Sequence, residues 1–303
     1  MDPVKSLIDA NRDTFITLSE QRLKVLQNLL LSMIRDYDEF CRAKGLEYYF
    51  GGGSALGAVR HKGIIPWDDD VDIVMPRKGY EVLKKEFEEY FHGKYRVEAP
   101  NTHCTGVYAF LKIKLVGTVF REIICDDEHC EVFLDIFPLE YVSNNSFVRF
   151  FQTHTYVLMR DISYTILYAK QYKTKIKPRM DRCDGKTRFL LKAGYGLGQF
   201  LSLIPARCWI NKLDRMVSRN KPSDYVTIPT GMQGPKKETF LKEYYMPARR
   251  GEFNGIEIML PNRVEDILER FYGDYMTPPP VDKRARHFLI EVDLGKYEPE
   301  ASR

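Results

Sequence analysis

The chain has 303 residues, 44% hydrophobic and 29% charged, with a formal net charge of +4. That length buries a substantial core and holds one large domain or two small ones. The composition is that of a soluble globular protein, and so small a net charge gives no argument for a nucleic-acid partner. Residues 1–7 contain no apolar signal-peptide core, and no uncharged apolar run reaches the ~18 residues of a spanning helix.

The first periodic segment is 19–44. Leu23, Leu26, Leu30, Met33, Ile34, Tyr37, Phe40 and Cys41 recur at three- and four-residue steps, which predicts an amphipathic scaffold helix. Ser19 caps its start and Gly45 its end. Residues 46–50 read as a short strand. Gly51, Gly52, Gly53 and Ser54 follow, then a short helical piece over 55–60. Glycine lets the backbone turn sharply and approach a ligand, and a helix start offers N–H groups to an anion such as phosphate.

Asp70-Val71-Asp72-Ile73-Val74 alternates as a strand does, which places Asp70 and Asp72 on one face and Val71 and Ile73 on the other. Two carboxylates side by side repel unless a cation lies between them, and their hard oxygens suit Mg²⁺ or Mn²⁺. Asp68 and Asp69, after Pro66-Trp67, belong to a loop that supports the metal site or caps the turn. An EF-hand is excluded: counted from Asp68, its sixth and twelfth positions would be Ile73 and Gly79. A phosphate cradle joined to a carboxylate pair is the equipment of phosphoryl or nucleotidyl transfer.

Residues 78–91 read as a helix and 95–98 as a short strand. Residues 110–116 and 119–124 read as a hairpin turning at Gly117-Thr118, with Lys112 and Lys114 on one face. A further strand over 131–136 carries Asp135. Strands mixed with helices predict an α/β sheet that is not purely parallel. The six cysteines are scattered and read as reduced thiols. Cys125, His129 and Cys130 could approach a metal, but a fourth ligand is missing and the spacing is not that of a zinc finger. Residues 146–220 read as largely helical, and 170–192 holds nine basic and two acidic residues. Residues 253–261 read as a strand and turn, and 263–271 as a helix. His287 reads as either a site-lining or a packed structural histidine, the latter being favoured. The expected organisation is a catalytic core over 1–145, a helical basic insertion over 146–220, and a C-terminal part over 221–303 that completes the catalytic domain.

Gly53-Ser54, Asp70-Val71-Asp72-Ile73 and a third carboxylate on a later strand, Asp135, resemble the signature of the LicD family. This family lies within the nucleotidyltransferase-fold superfamily, which also holds the fukutin-related proteins. The intervening Gly-Ala-Val-Arg-His-Lys-Gly and Ile-Pro-Trp-Asp-Asp-Asp suit the LicD version, and 272–280 resembles the end of such domains. The resemblance implies an α/β (α+β) fold: a nucleotidyltransferase-like mixed sheet flanked by helices, with the helical basic insertion. It implies transfer of an alcohol phosphate from a cytidine diphosphate ester, typified by CDP-choline, to a sugar hydroxyl of a lipid-linked or soluble glycan such as a teichoic acid, lipopolysaccharide or capsule precursor. Asp70, Asp72 and Asp135 would hold one or two Mg²⁺ or Mn²⁺ ions, with Asp135 as ligand or base. Gly52, Gly53 and Ser54 would hold the nucleotide phosphates, with Arg60, Lys62 and Lys112 as phosphate contacts. Trp67 or the tyrosines of 272–275 would line a head-group pocket. The expected location is the cytoplasm, with peripheral contact at an anionic inner membrane face through 170–192 and the apolar stretch that follows it. Two alternatives stay open. One is transfer of phosphoethanolamine, a polyol phosphate or a nucleotide on the same fold. The other is a catalytically silent nucleotide- or glycan-binding module, against which the three carboxylates speak.

Overall fold

The computed structural model describes residues 2–104, 106, 108–125, 129–281, 284 and 286–298. In chain order its elements are α1 (Pro3–Ala10), α2 (Glu20–Lys44), β1 (Tyr49–Phe50), α3 (Gly52–Arg60), β2 (Asp72–Pro76), α4 (Arg77–Tyr90), β3 (Tyr95–Glu98), β4 (Leu111–Leu115), β5 (Val119–Glu122) and β6 (Phe133–Val142). Three long helices follow, α5 (Ser146–Gln171), α6 (Gly185–Leu201) and α7 (Ala206–Val217). The rest comprises β7 (Tyr225–Thr227), α8 (Pro235–Glu238), β8 (Thr239–Leu241), β9 (Arg249–Phe253), β10 (Ile256–Leu260), α9 (Val264–Tyr272) and β11 (Leu289–Asp293).

The long first helix forms as its spacing predicts. The Ser19 hydroxyl accepts the Arg22 N–H, and Gly45 ends the helix in the left-handed region at φ 61°. Its apolar face is buried along its whole length. The main sheet has the order β1-β2-β6-β4-β3, with β7 and then β8 continuing from the far end of β6. Only β2 and β6 run parallel; β1–β2, β6–β4, β4–β3, β6–β7 and β7–β8 are antiparallel. The sheet is therefore mixed and flanked by helices, as expected.

Alternation along β2 divides the core. Ile73 and Met75 face Leu30, Ile34 and Tyr37 of α2 and Tyr80, Leu83 and Phe87 of α4. Val74 faces the other way, into a cluster with Leu139, Val226, Phe240 and Ile267. Each such fully buried side chain contributes about 1.5–3 kcal/mol over an exposed one. With both faces of β2 covered, a slip of one residue would exchange the two apolar sets and expel the carboxylate of Asp72, so the register is strongly specified.

Three local expectations are corrected. The helix after the glycines starts at Gly52, not at residue 55, so Gly53 and Ser54 lie in its first turn. β2 starts at Asp72, so Asp70 stands in the connection before the strand instead of on it. The hairpin across Gly117-Thr118 does not form. The Thr118 hydroxyl bonds the carbonyl of Leu115 and receives the N–H of Val132. This turns β5 away from β4, to pair with β11 instead.

Gly57 sets how closely α3 packs on the following loop. A β-carbon there would stand 2.5 Å from the carbonyl oxygen of Gly63, a backbone atom with little freedom to yield. Gly57→Ala should therefore cost about 1–3 kcal/mol, read as a lower denaturant midpoint at unchanged slope; an unchanged midpoint would refute this account of the packing.

Candidate active site

The site begins with a strand register. Parallel pairing sets Asp72 of β2 opposite Asp135 of β6, and antiparallel pairing sets Asp135 opposite Lys112 of β4. Neighbouring strands lie about 4.8 Å apart, so two carboxylates and an ammonium stand in one row across the sheet. Lys112 Nζ bonds Asp135 Oδ1 at 2.7 Å, and both residues are buried. The ammonium also sits 3.4 Å from the ring centre of Phe133 and 4.5 Å from that of Tyr108. Lys112 is thus tied to the third carboxylate. Lys114, on the same face, is buried against Glu98, so the two lysines do not form a solvated face.

The glycine turn closes over Asp72. Gly52 has φ 47°, and a β-carbon on it would meet Asp72 Oδ2 at 2.7 Å; glycine is required both for the dihedral and for the approach. A β-carbon on Gly53 would stand 3.1 Å from Asp68 Oδ2. Ser54 is buried, and its hydroxyl accepts the backbone N–H of Asp72 at 2.9 Å. Its role is to lock the turn to the strand. No side chain caps the start of α3, so the positive end of the helix is directed at the carboxylates and at whatever they hold.

The connection before β2 supplies the rest. Gln27 of α2 donates to the carbonyl of Asp68 at 2.9 Å and anchors the loop. Asp69 is buried and binds His287 twice, through the backbone N–H at 3.1 Å and through Nδ1 at 2.8 Å. The other ring nitrogen of His287 lies 3.5 Å from Glu122 and 3.9 Å from Asp70. Of the two readings open for His287 the less favoured one fits: it lies in the carboxylate cluster. Its ligand atom and those of Asp69 and Asp70 lie within 4.8 Å of one another. The pairing of β5 with β11 brings Glu122 and His287 here, and no local motif announces that pairing.

The electrostatics follow from crowding. Burial, then the charges of Asp70 and Asp69, push Asp68 up to about 8. Burial, with Asp70, Asp135 and Asp68 adding to it, raises Asp72 well above the usual carboxylate value, and burial raises Asp70 as well. Burial pushes Asp135 up to about 6, against the opposing pull of Lys112. Burial alone would lower His287, but Glu122, the bond to Asp69 and the charge of Asp70 hold it well above its ordinary value. Four carboxylates at cost, with few cations among them, form a donor set of hard oxygens that fits a divalent metal.

Of the other residues expected in the site, Arg60 is at its edge. It donates to the carbonyl of Tyr275 at 2.6 Å and to His61 at 2.9 Å. Lys62 is exposed beyond the end of α3, with a positive φ of 57°. The face of Trp67 is covered by the guanidinium of Arg284 at 4.0 Å. Cys125 and Cys130 approach to 3.2 Å, but His129 is bonded to Arg96 at 3.0 Å.

A cleft of about 140 Å³ opens beside Asp72 and Gly52, lined by Phe137, Met232, Phe271, Tyr272 and Glu238 among others. Glu238 is 4% exposed. Its Oε1 accepts the Gln233 N–H at 3.0 Å, while its buried Oε2 has no protein partner. Burial pushes this carboxyl up to about 7. Nothing in the local sequence points to Glu238: it stands far from the glycines and on a different element.

Known proteins share parts of this sequence. Residues 45–166 match the family described as LicD/FKTN/FKRP, nucleotidyltransferase domain. The lipopolysaccharide cholinephosphotransferase LicD of Haemophilus influenzae is 25% identical over 281 residues, covering 91% of this chain and 98% of that protein. An uncharacterised protein of Rickettsia prowazekii is 37% identical over 141 residues, 42% of this chain and 53% of the relative. The human ribitol 5-phosphate transferase FKRP is 61% identical over 31 residues, 10% of this chain and 6% of that protein. The glycine turn, the carboxylate row and these matches together identify residues 45–166 as a domain of the LicD/FKTN/FKRP nucleotidyltransferase type.

Proposed function

We propose that the chain is a metal-dependent transferase that moves an alcohol phosphate, in the first instance phosphocholine from CDP-choline, to a sugar hydroxyl of a glycan precursor. The observation that carries this reading is the row of Asp72, Asp135 and Lys112 under the open start of α3. Asp70, Asp72 and Asp135 are the residues that would hold Mg²⁺ or Mn²⁺, with Asp69 and His287 beside them. Such an ion, when bound, neutralises the diphosphate as a Lewis acid.

The chain's own groups do the rest. The first-turn N–H groups of α3 bind phosphate oxygens, and Gly52 and Gly53 allow the approach. The sugar oxygen attacks the phosphorus that bears the choline. The bond from that phosphorus to the oxygen of CMP breaks, and CMP leaves. Asp135 accepts the hydroxyl proton: raised to about 6, it is largely ionised at neutral pH yet basic enough to take part. Lys112 keeps it ionised. Catalysis rests chiefly on positioning and charge neutralisation.

The cleft beside Asp72 supports a cationic head group. Its volume is below the ~300 Å³ of a whole small-molecule site, which suits a head group and not a nucleoside. Phe137, Phe271 and Tyr272 offer ring faces, and the unpartnered oxygen of Glu238 offers the counter-charge. We place the enzyme in the cytoplasm, where CDP-alcohols and lipid-linked glycans meet.

Incubation with CDP-choline, Mg²⁺ and a glycan acceptor should release CMP and give a phosphodiester by phosphorus NMR; CMP release that does not depend on a divalent metal would refute the reading. Asp72→Asn and Asp135→Asn should each lower turnover about a thousandfold, the loss of several kcal/mol of charge stabilisation. Asp72→Asn should melt higher than the metal-free parent, because it relieves the crowding of carboxylates, whereas Asp135→Asn should melt lower, because it leaves the buried ammonium of Lys112 without its partner. Wild-type rates in either would remove that residue from the mechanism.

The raised carboxyls also set a pH dependence. Between the ordinary carboxylate value of 3.8 and the values of about 6 for Asp135 and about 8 for Asp68, the folded chain holds more protons than the unfolded one. Stability of the metal-free protein therefore falls as pH rises from about 4 to about 8. Added Mg²⁺ should raise the melting temperature more at pH 8 than at pH 5; an equal shift at both would contradict the site assignment. For the cleft, Glu238→Gln should weaken phosphocholine binding about tenfold or more by calorimetry, the order of a charge-assisted contact, and leave CMP binding unchanged. Loss of CMP binding instead would make the cleft a base pocket, and equal affinity for CDP-choline and CDP-glycerol would overturn the choline preference.

A further inference from the structure

Helices α5 and α6 leave an apolar surface bare. On α5, Phe147, Phe151, Leu158, Thr165 and Ala169 follow at steps of four and seven and so share one face. The second half of that face is covered: a β-carbon on Gly198 of α6 would meet the Thr165 carbonyl oxygen and the Ala169 methyl, each at 2.5 Å. The first half is not. Phe147 is 70% exposed and Leu158 60%. The outer side of α6 continues the pattern with Phe189, Leu197 and Phe200, and Leu203 and Ile204 in the turn after it are exposed as well. Eight of the exposed large hydrophobics lie on this pair of helices once Val148, Phe150 and Phe151 are included, and two more follow directly after α6, far more than scattered surface residues require.

The charge beside this surface has one sign. Between Asp184 and Asp214 the chain carries Lys186, Arg188, Lys192, Arg207 and Lys212 and no acid. Lys186, Arg188 and Lys192 are exposed on α6 among its outward apolar residues. A second copy of this chain packed symmetrically on the face would bring these cations toward their own counterparts, which disfavours a dimer. An anionic bilayer meets both requirements, apolar and electrostatic. Among the described residues no helix is long and apolar enough to cross a membrane, so the surface lies on the lipid.

We propose that the outer faces of α5 and α6 dock on an anionic lipid bilayer, with Phe147, Phe151, Phe200 and Leu203 entering the interface and Lys186, Arg188 and Lys192 contacting the headgroups. The proposal concerns residues outside the carboxylate cluster and stands independently of the transfer chemistry. It revises the expectation that 170–192 as a whole forms the contact. Within that segment Lys175 is turned inward, and Ile176 and Met180 pack with Leu7 and Ile8 of α1. The docking surface is instead the α5 start and α6.

The test is co-sedimentation of the full chain with vesicles of phosphatidylcholine alone or mixed with phosphatidylglycerol, at low and high salt. Binding is expected to the mixed vesicles at low salt, with strong loss at high salt. The triple variant Lys186→Gln, Arg188→Gln, Lys192→Gln should bind about a hundredfold more weakly. Phe200→Ser with Leu203→Ser should lose binding as well, while transfer to a soluble acceptor is unchanged. All five positions are exposed, so folding is checked by melting temperature, and the charge variant decides alone if the apolar one misfolds. Absence of vesicle binding, or binding that ignores salt and the variants, overturns the proposal. So does a concentration-dependent dimer that replaces vesicle binding and is abolished by the serine variant.

Discussion

The parallel pairing of β2 with β6 is the constraint on which the site depends. It is the one parallel pair in the main sheet, and it fixes Asp72 beside Asp135. Parallel neighbours need a long crossover, and here the crossover is occupied by α4, β3, β4 and β5. β4 then inserts on the far side of β6 and brings Lys112 to Asp135. The apolar alternation of β2 holds this register from both faces. The hydrophobic core thus bears the cost of crowding like charges, and the carboxylates need not stabilise one another.

The crowding itself has a clear function. Buried carboxylates that repel are poor contributors to folding, and four of them lie in a patch where, among the described residues, Lys112, His287 and Arg60 are the cations that oppose them. Their raised protonation states record that imbalance. On the function proposed above, a bound divalent cation would offset this excess of negative charge. Ground-state strain of this kind is tolerable because the core on either side of β2 is extensive.

Much of this was legible in the chain. The glycines, Ser54 and the Asp70–Asp72 segment are contiguous, and turn, anion and metal chemistry all read from local residue types. The long first helix was legible because its period runs for more than six turns with a cap at each end. What was not legible depends on pairing between distant segments. The Gly117-Thr118 turn looks like a hairpin locally, yet β5 finds β11 and leaves β4 to β6. His287 and Glu238 enter through such pairings, and neither sits in a periodic or motif context. The start of α3 was misplaced because glycines at helix positions read as turn, whereas close approach to Asp72 and Asp68 selects them inside the first turn.

His287 joins the cluster across 218 residues from Asp69. During synthesis, every other member of the carboxylate patch leaves the ribosome well before this cation does. A nascent chain can therefore build its sheet and its row of acids while still lacking the one imidazolium that tempers them. Closure of β11 on β5 is thus a late event in the life of each molecule, and a chain cut short before residue 287 would keep the charge without its counterweight.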